Sequence, residues 1–188
     1  MNRKQQILKT ASQLFKERGY AAVTMRDIAE TMDIKAASLY NHISGKHELL
    51  ASLILQVAHE FTAGMNAVQS LEESAFAKAE KLISLHIKIA LRYTNALAVM
   101  NTDWMHLEGT DYVEYSSMRK KYEQDFKNIL LDGMKTGEFA TGNVDTMLFT
   151  LLSTLRSIYL WVPRKSPADL QLLTTELPRL LLNGIRAV

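Results

Sequence analysis

Between residues 35 and 46 the chain gathers side chains suited to a nucleic-acid surface: Lys35, Ala36, Ala37, Ser38, Tyr40, Asn41, His42 and Lys46. Ala36 and Ala37 let a backbone approach closely and can touch thymine methyl groups, while Ser38 and Asn41 can donate and accept at base edges. Tyr40, His42 and Lys46 suit phosphate oxygens, which fix register more than they specify sequence. The grouping carries that chemistry if it lies on the second of two short helices joined by a tight turn, because such a unit lays its second helix in the major groove. Spacing alone leaves a plainer reading open, in which Tyr40 packs on a helical bundle and His42 is a surface residue.

Other chemistries find less support. The absence of cysteine removes disulfide frameworks, thiolate nucleophiles and cysteine-held metal centres, and suits a reducing, cytoplasmic setting. There is no Gly-x-Ser-x-Gly elbow, no glycine-rich phosphate loop and no paired-histidine motif, so an enzyme is not expected. Asp103 and His106 share a helix face beside Glu108, but no further histidine lies near in sequence and a solvated polar face explains them more simply. A metal carrier or bundle enzyme would have to use His86 and His106 with nearby acids; no metal and no cofactor are assigned. Met100, Trp104, Met105, Tyr122, Phe126 and Tyr159 could line an apolar cavity between helices, or could simply be core. Arg156 stands in an otherwise apolar helix and could meet an acidic ligand group, Glu108, or a carboxylate across a dimer.

These residues need helices to position them. Eight Gly and three Pro among 188 residues are too few for a turn-rich fold, and nine Met with many Leu and Ala favour helix. Ile7, Leu8, Ala11, Leu14 and Phe15 give a helix over about 2–18, stopped by Gly19. Thr24 with Asp27 three residues on is a capping box that opens a short helix around Ile28 and Ala29. A second short helix covers Ala36 to His42, with Leu39 facing inward. Ser44 as N-cap and Glu48 in the first turn then open a long helix striped by Leu49, Leu50, Leu53, Ile54, Val57, Ala58, Phe61 and Met65. Further helices are expected over Glu72–Arg92, Asn95–Glu108, Asp111–Thr136 and Asn143–Trp161, and from Ser166-Pro167 to about Arg186, kinked at Pro178. The fold class is therefore all-α, with about nine helices.

Charge and length divide the chain. The first 50 residues carry eight Lys and Arg against five Asp and Glu, whereas the remainder carries fourteen against fifteen. A basic first quarter suggests a small part that meets a polyanion, placed at residues 1–48, and a larger near-neutral part at 49–188. No apolar window approaches the roughly 18 residues of a membrane span, so no membrane partner is expected. Arg3 and Lys4, within the first six residues, could form a basic arm.

The run Ile7-Leu8…Ala11…Leu14-Phe15…Gly19-Tyr20…Thr24-Met25…Ile28-Ala29…Ile34…Ser38-Leu39-Tyr40…His42…Lys46…Leu49-Leu50 resembles the N-terminal domain of TetR-family transcriptional regulators. The resemblance implies that Thr24 and Arg26 contact phosphate or groove. It also places Ala36, Ala37, Ser38, Tyr40 and Asn41 on the recognition helix, and Tyr40, His42 and Lys46 at backbone-contacting positions. The sequence departs from the family at Asp33, where a turn glycine is usual and a left-handed backbone is needed, and at Lys35, where a capping residue is usual. Ile43 and His47 also replace a common Phe and a common acid.

The second domain of that family binds a ligand and dimerises. Tyr115…Arg119-Lys120-Lys121-Tyr122-Glu123…Phe126…Ile129-Leu130…Gly133…Gly137-Glu138-Phe139, with Trp161, is similar to a branch linked to acyl-CoA and lipid metabolism. The resemblance implies a homodimer formed through the last two helices, with Leu148, Leu151, Leu152 and Leu155 on one and Leu173, Leu177, Leu180 and Leu181 on the other supplying surplus apolar surface. The implied protein is a ligand-responsive repressor that binds double-stranded DNA at a near-palindromic operator and is released by a small apolar or amphipathic effector, such as an acyl-CoA. An alternative is the same fold serving protein interaction, with a head that no longer reads DNA.

Overall fold

The computed structural model describes residues 2–187, and among them the chain forms nine α-helices. They are α1 (Arg3–Arg18), α2 (Met25–Thr31), α3 (Ala36–Leu39), α4 (Lys46–Gln69), α5 (Ala75–Arg92), α6 (Thr94–Asp103), α7 (Gly109–Lys135), α8 (Val144–Trp161) and α9 (Pro167–Asn183). Short side-chain caps set many of the starts. Asn2, Thr24, Ser74, Asn143 and Ser166 each accept a hydrogen bond from a backbone amide in the first turn of the helix that follows. Several of the ends differ from the periodicity. The fifth helix starts at Ala75 rather than Glu72 because Ser74 takes the cap. The sixth stops at Asp103 and tightens into a 3-10 turn over Trp104–His106. The third spans one turn.

The chain divides into two compact units. The first holds the residues up to Ala58 together with Asn95–Ser116, so the unit around the short helices extends beyond residue 48 and recruits α6. Its buried side chains include Ile7, Ala11, Leu14 and Phe15 of α1, Ile28 and Ala29 of α2, and Leu39 of α3. Leu49, Leu50, Leu53 and Ile54 of α4, Leu97 and Val99 of α6, and Tyr115 complete the set. Packing of α2 on both α1 and α3 gives the three-helix head its shape.

The second unit holds His59–Thr94 and the residues from Ser117 onward. Here α5 packs against α8 and α9. Gly133 is required by packing, since a Cβ there would lie 2.2 Å from the ring of Phe139, which is 1% exposed. Past α9 the chain leaves helical geometry and pairs with the turn before α8. Ala140 donates to the Ile185 carbonyl at 2.9 Å and Ala187 to that of Glu138 at 3.3 Å. That pairing is why α9 ends at Asn183 and not near Arg186. Pro178 is buried inside α9 and does not end it. The expected apolar surplus of the last two helices needs correction: Leu151, Leu152 and Leu155 face the core of this unit, and Leu148, Leu173, Leu177 and Leu181 are half-buried. The large apolar side chains left outside are Phe149, Leu160, Trp161, Leu172 and Leu180. Among the described residues no helix is long and apolar enough to cross a membrane.

Candidate nucleic-acid interface

The head is built from reciprocal caps and one unusual backbone angle. At the start of α2, Thr24 donates its amide to Asp27 Oδ2 at 2.7 Å, and Asp27 returns its amide to Thr24 Oγ1 at 3.1 Å. The Thr24 hydroxyl, which also donates to Asp27 Oδ2, and then the Thr24 amide hold the Asp27 carboxyl below the usual carboxylate range. After α2 the chain reverses: Met32 donates to Ile28 and Ala29, Asp33 to Glu30, and Ile34 back to Ala29 at 3.0 Å. The reversal needs a left-handed residue, and Asp33 supplies it with φ 53°, the sole non-glycine residue of positive φ among those described. Lys35 then precedes α3 with no side-chain cap.

One turn of helix follows, anchored by Leu39 (0% exposed) and, beyond it, Ile43 (2%). With those two inward, Lys35, Ala37, Ser38, Tyr40, Asn41 and His42 are exposed on one surface, and Ala36 is half-buried. Tyr40 is 56% exposed, too much for a bundle core residue. Thr24 and Arg26 are also exposed, with the Arg26 guanidinium 3.1 Å from Glu30.

Lys46 is placed differently from a side chain that reaches outward for phosphate. Its ammonium donates to the carbonyls of Tyr20 (3.0 Å), Val23 (2.9 Å) and Ala21 (3.4 Å), and lies 4.2 Å from the Tyr20 ring centroid. Lys46 thus ties the start of α4 to the turn between α1 and α2. Tyr20 in turn donates its amide to the buried carboxylate of Asp103 at 3.2 Å and packs its ring on His106 at 5.3 Å. Asp103 and His106 are therefore parts of a joint that holds α6 on the head, and this joint had no signal in the sequence. Among the described residues no group of three or more His, Asp or Glu stands close enough to hold a metal ion. At the other face of α4's first turn, Glu48 accepts from Lys4 (2.8 Å) and from the Ser44 amide (2.7 Å), which brings its pKa down to about 2.

The residues expected to meet an effector fall into both units. In the first, Met100 is buried and Trp104 is half-buried, stacked near Tyr112 and Tyr115. Met105 is 61% exposed, because the helical pattern that would have turned it inward gives way to the 3-10 turn. The second unit brings Tyr122 and Phe126 together in its core, with ring centroids 6.4 Å apart. The Tyr122 hydroxyl lies 3.0 Å from His86 Nε2, and Phe61 packs on both rings. Burial, with a smaller contribution from the Arg156 charge, lowers His86 to about 3, and burial pushes the Tyr122 phenol up. Arg156 is hydrogen-bonded to Glu123, not Glu108, and Glu123 also accepts from Arg119 at 3.2 Å. Burial works against the Glu123 carboxylate, but the two guanidinium groups outweigh it and hold its pKa below the usual range. Tyr159 is half-buried, and burial raises its phenol.

A three-helix head with an exposed, polar second helix and a separate helical unit defines an all-α regulator of the helix-turn-helix class. Residues 7–53 match the model for bacterial regulatory proteins of the tetR family, and residues 72–185 match that for the tetracyclin repressor-like C-terminal domain. The chain belongs to the TetR family of transcriptional regulators, which are DNA-binding proteins and not enzymes. It is 25% identical over 192 residues to the transcriptional repressor KstR2 of Mycolicibacterium smegmatis, covering 98% of this chain and 91% of that one. It is 24% identical over 152 residues to IcaR, the negative regulator of the biofilm operon of Staphylococcus epidermidis, covering 72% and 82%. In fold it is similar to the ketosteroid regulator KstR2 of Mycobacterium tuberculosis, at a TM-score of 0.92, 20% identity and 100% and 96% coverage. AibR, solved with isovaleryl coenzyme A and operator DNA, gives 0.81 at 20% identity and 96% and 98% coverage.

Proposed function

We propose that this protein is a ligand-responsive repressor that binds a near-palindromic operator as a homodimer. The observation that carries the reading is the single exposed surface formed by Lys35, Ala37, Ser38, Tyr40, Asn41 and His42, held outward by the burial of Leu39 and Ile43. Thr24 and Arg26 at the start of α2 are exposed as well, and Ala36 is half-buried. A second copy would cover Phe149, Leu160, Trp161, Leu172 and Leu180, large apolar side chains of the last two helices that are between 38% and 71% exposed and that a partner surface would take out of water. Two-fold pairing through α8 and α9 sets two recognition helices about one helical turn of DNA apart or somewhat more.

The effector is an amphipathic acyl thioester of the acyl-CoA class, bound in the second unit. Tyr159 is half-buried and supplies an apolar face there; Tyr122 and Phe126 have to part from their core packing to add theirs, and Arg156 has to exchange Glu123 for an acidic group of the ligand. Support for this class comes from AibR, a structural neighbour solved with isovaleryl coenzyme A, while the ketosteroid in the name of KstR2 speaks only for a bulky apolar ligand. A bound effector acts by favouring a state that fits DNA less well, so no chemistry on it is needed.

The test is fluorescence anisotropy on the intergenic duplex beside the protein's own gene, against a scrambled duplex, at two salt concentrations. Binding about 10³-fold tighter to the first duplex supports the reading, as does its loss in Tyr40→Ala and its reversal by acyl-CoA esters. Equal, salt-abolished binding to both duplexes means that charge alone is at work and favours a protein partner. Sedimentation of Phe149→Glu tests the dimer: the variant should run as a monomer, and an unchanged dimer would place the interface elsewhere.

A further inference from the structure

We infer that Ala37 and Asn41 are the operator-selecting residues of this protein, and that the feature they read is an A·T pair in each half-site. The inference rests on the DNA-binding reading above and adds the chemistry of the base that is recognised.

Helix α3 is one turn long, and its orientation is fixed by Leu39, which is fully buried. At about 100° per residue, the position opposite Leu39 on that turn is two residues away, at Ala37. Ala37 is exposed. The chain keeps turning after Leu39, whose carbonyl accepts from the amides of both His42 and Ile43 at 2.9 and 3.0 Å. Asn41, four residues after Ala37, is therefore carried onto the same outward side, and it too is exposed. Lys35 stands ahead of this turn, and no Arg or Gln occurs between Thr31 and Lys46. Arg26 on α2 lies beside Glu30. The centre of the reading surface is thus a methyl group followed one turn later by a carboxamide.

Those two groups are selective in different ways. A methyl side chain offers nothing to a polar base edge, and pressing one against such an edge leaves the edge without its water. In the major groove the apolar feature it can meet is the C5 methyl of thymine. A carboxamide matches the N6 donor and N7 acceptor of adenine in a two-bond fork, which no other base offers in that order. Both features belong to A·T pairs.

The experiment uses the full-length protein to select half-sites from a pool of random-sequence duplexes, and then compares each selected duplex with versions in which single thymines are replaced by uracil. Uracil lacks the methyl and keeps every hydrogen-bonding group. The expected result is an A·T pair fixed in every half-site, with about fourfold weaker binding on uracil at one thymine position of a half-site and about fifteenfold when both half-sites are changed, the loss for one buried methyl each. Ala37→Gly, which removes the methyl in both half-sites, should bind the thymine duplex about fifteenfold more weakly and show no further loss on uracil. Asn41→Ala should accept other base pairs where the wild type demands adenine. Because the uracil comparison needs no protein variant, poor folding of Ala37→Gly cannot obscure it. Selection of no sequence at all would defeat the DNA-binding reading. Selection of a half-site in which uracil is tolerated throughout, or in which no A·T pair is fixed, would overturn this inference while leaving that reading intact.

Discussion

Replacing Lys46 by Met separates two roles that a lysine at the start of α4 can play. Methionine keeps most of the stem and removes the ammonium. Two hydrogen bonds of ordinary length, to the carbonyls of Tyr20 and Val23, would be lost with a weaker one to Ala21 and a cation over the Tyr20 ring. A hydrogen bond from a charged donor contributes about 1.5–3 kcal/mol when buried; Lys46 is half-exposed, so about 1 kcal/mol each is the safer figure for the two good ones. The ring contact adds about 0.5–1 kcal/mol. The loss should be about 2–3 kcal/mol, which for a chain of this size is a fall in melting temperature of roughly 5–10 °C. The second assay is the salt dependence of DNA binding. A phosphate contact contributes about 0.9 to the slope of log affinity against log salt, and a lysine held by carbonyls contributes little. Lys46→Met should therefore melt early by circular dichroism and keep the wild-type salt slope at a temperature where it is folded. A variant that melts with the wild type and loses about two units of slope, one from each protomer of the proposed dimer, would refute the placement of Lys46 inside the joint.

Three further outcomes follow from single sites. His86 is held near 3 in the folded chain against an ordinary value of 6.5, so the unfolded chain binds a proton that the folded one excludes, and stability is lost as pH falls from about 6.5 toward 3; His86→Gln, followed by urea unfolding at several pH values, should show a shallower loss across that window. Gly133→Ala forces a methyl to within 2.2 Å of the buried Phe139 ring and should destabilise by about 1–3 kcal/mol in the same assay, with an unchanged midpoint counting against the packing argument. Asp33→Gly relieves a left-handed residue at φ 53° and should raise stability by about 0.5 kcal/mol, whereas Asp33→Val should lower it by more than that.

What the sequence disclosed was local. The caps at Thr24, Asn143 and Ser166 and the left-handed turn at Asp33 follow from residues within four positions of one another, and each stands where the spacing placed it. The outward set around Ala37 was legible for the same reason, since one buried leucine orients a single turn. Contacts across long separations were not. The partner of Lys46 is 26 residues away, that of Asp103 is 83 and that of Tyr122 is 36. Residue type says that an ammonium or a buried carboxylate needs a partner; it does not say whether the partner is a phosphate, a ligand or a backbone carbonyl. Lys46 shows the consequence: the same charge reads as a DNA contact in the sequence and is a clamp on the turn after α1 in the fold.

The last two helices show the matching limit for apolar residues. Along α8, Leu151, Leu152, Leu155 and Ile158 lie three or four apart and are buried, while Phe149 and Leu160, equally apolar, are 71% and 59% exposed. Hydrophobic spacing identifies both sets as stripes and gives no rank between them, because either could face the chain's own core. The choice is made by α5, which packs against both α8 and α9 and takes one stripe of α8. Phe149 and Leu160 on α8 and Leu172 and Leu180 on α9 are then left exposed, outside the core of the single chain. In the dimer proposed above, folding and assembly would be carried by different residues of the same helix. That separation is what allows the outward stripe to be altered without loss of the helical unit, and it makes oligomeric state a measurement independent of stability.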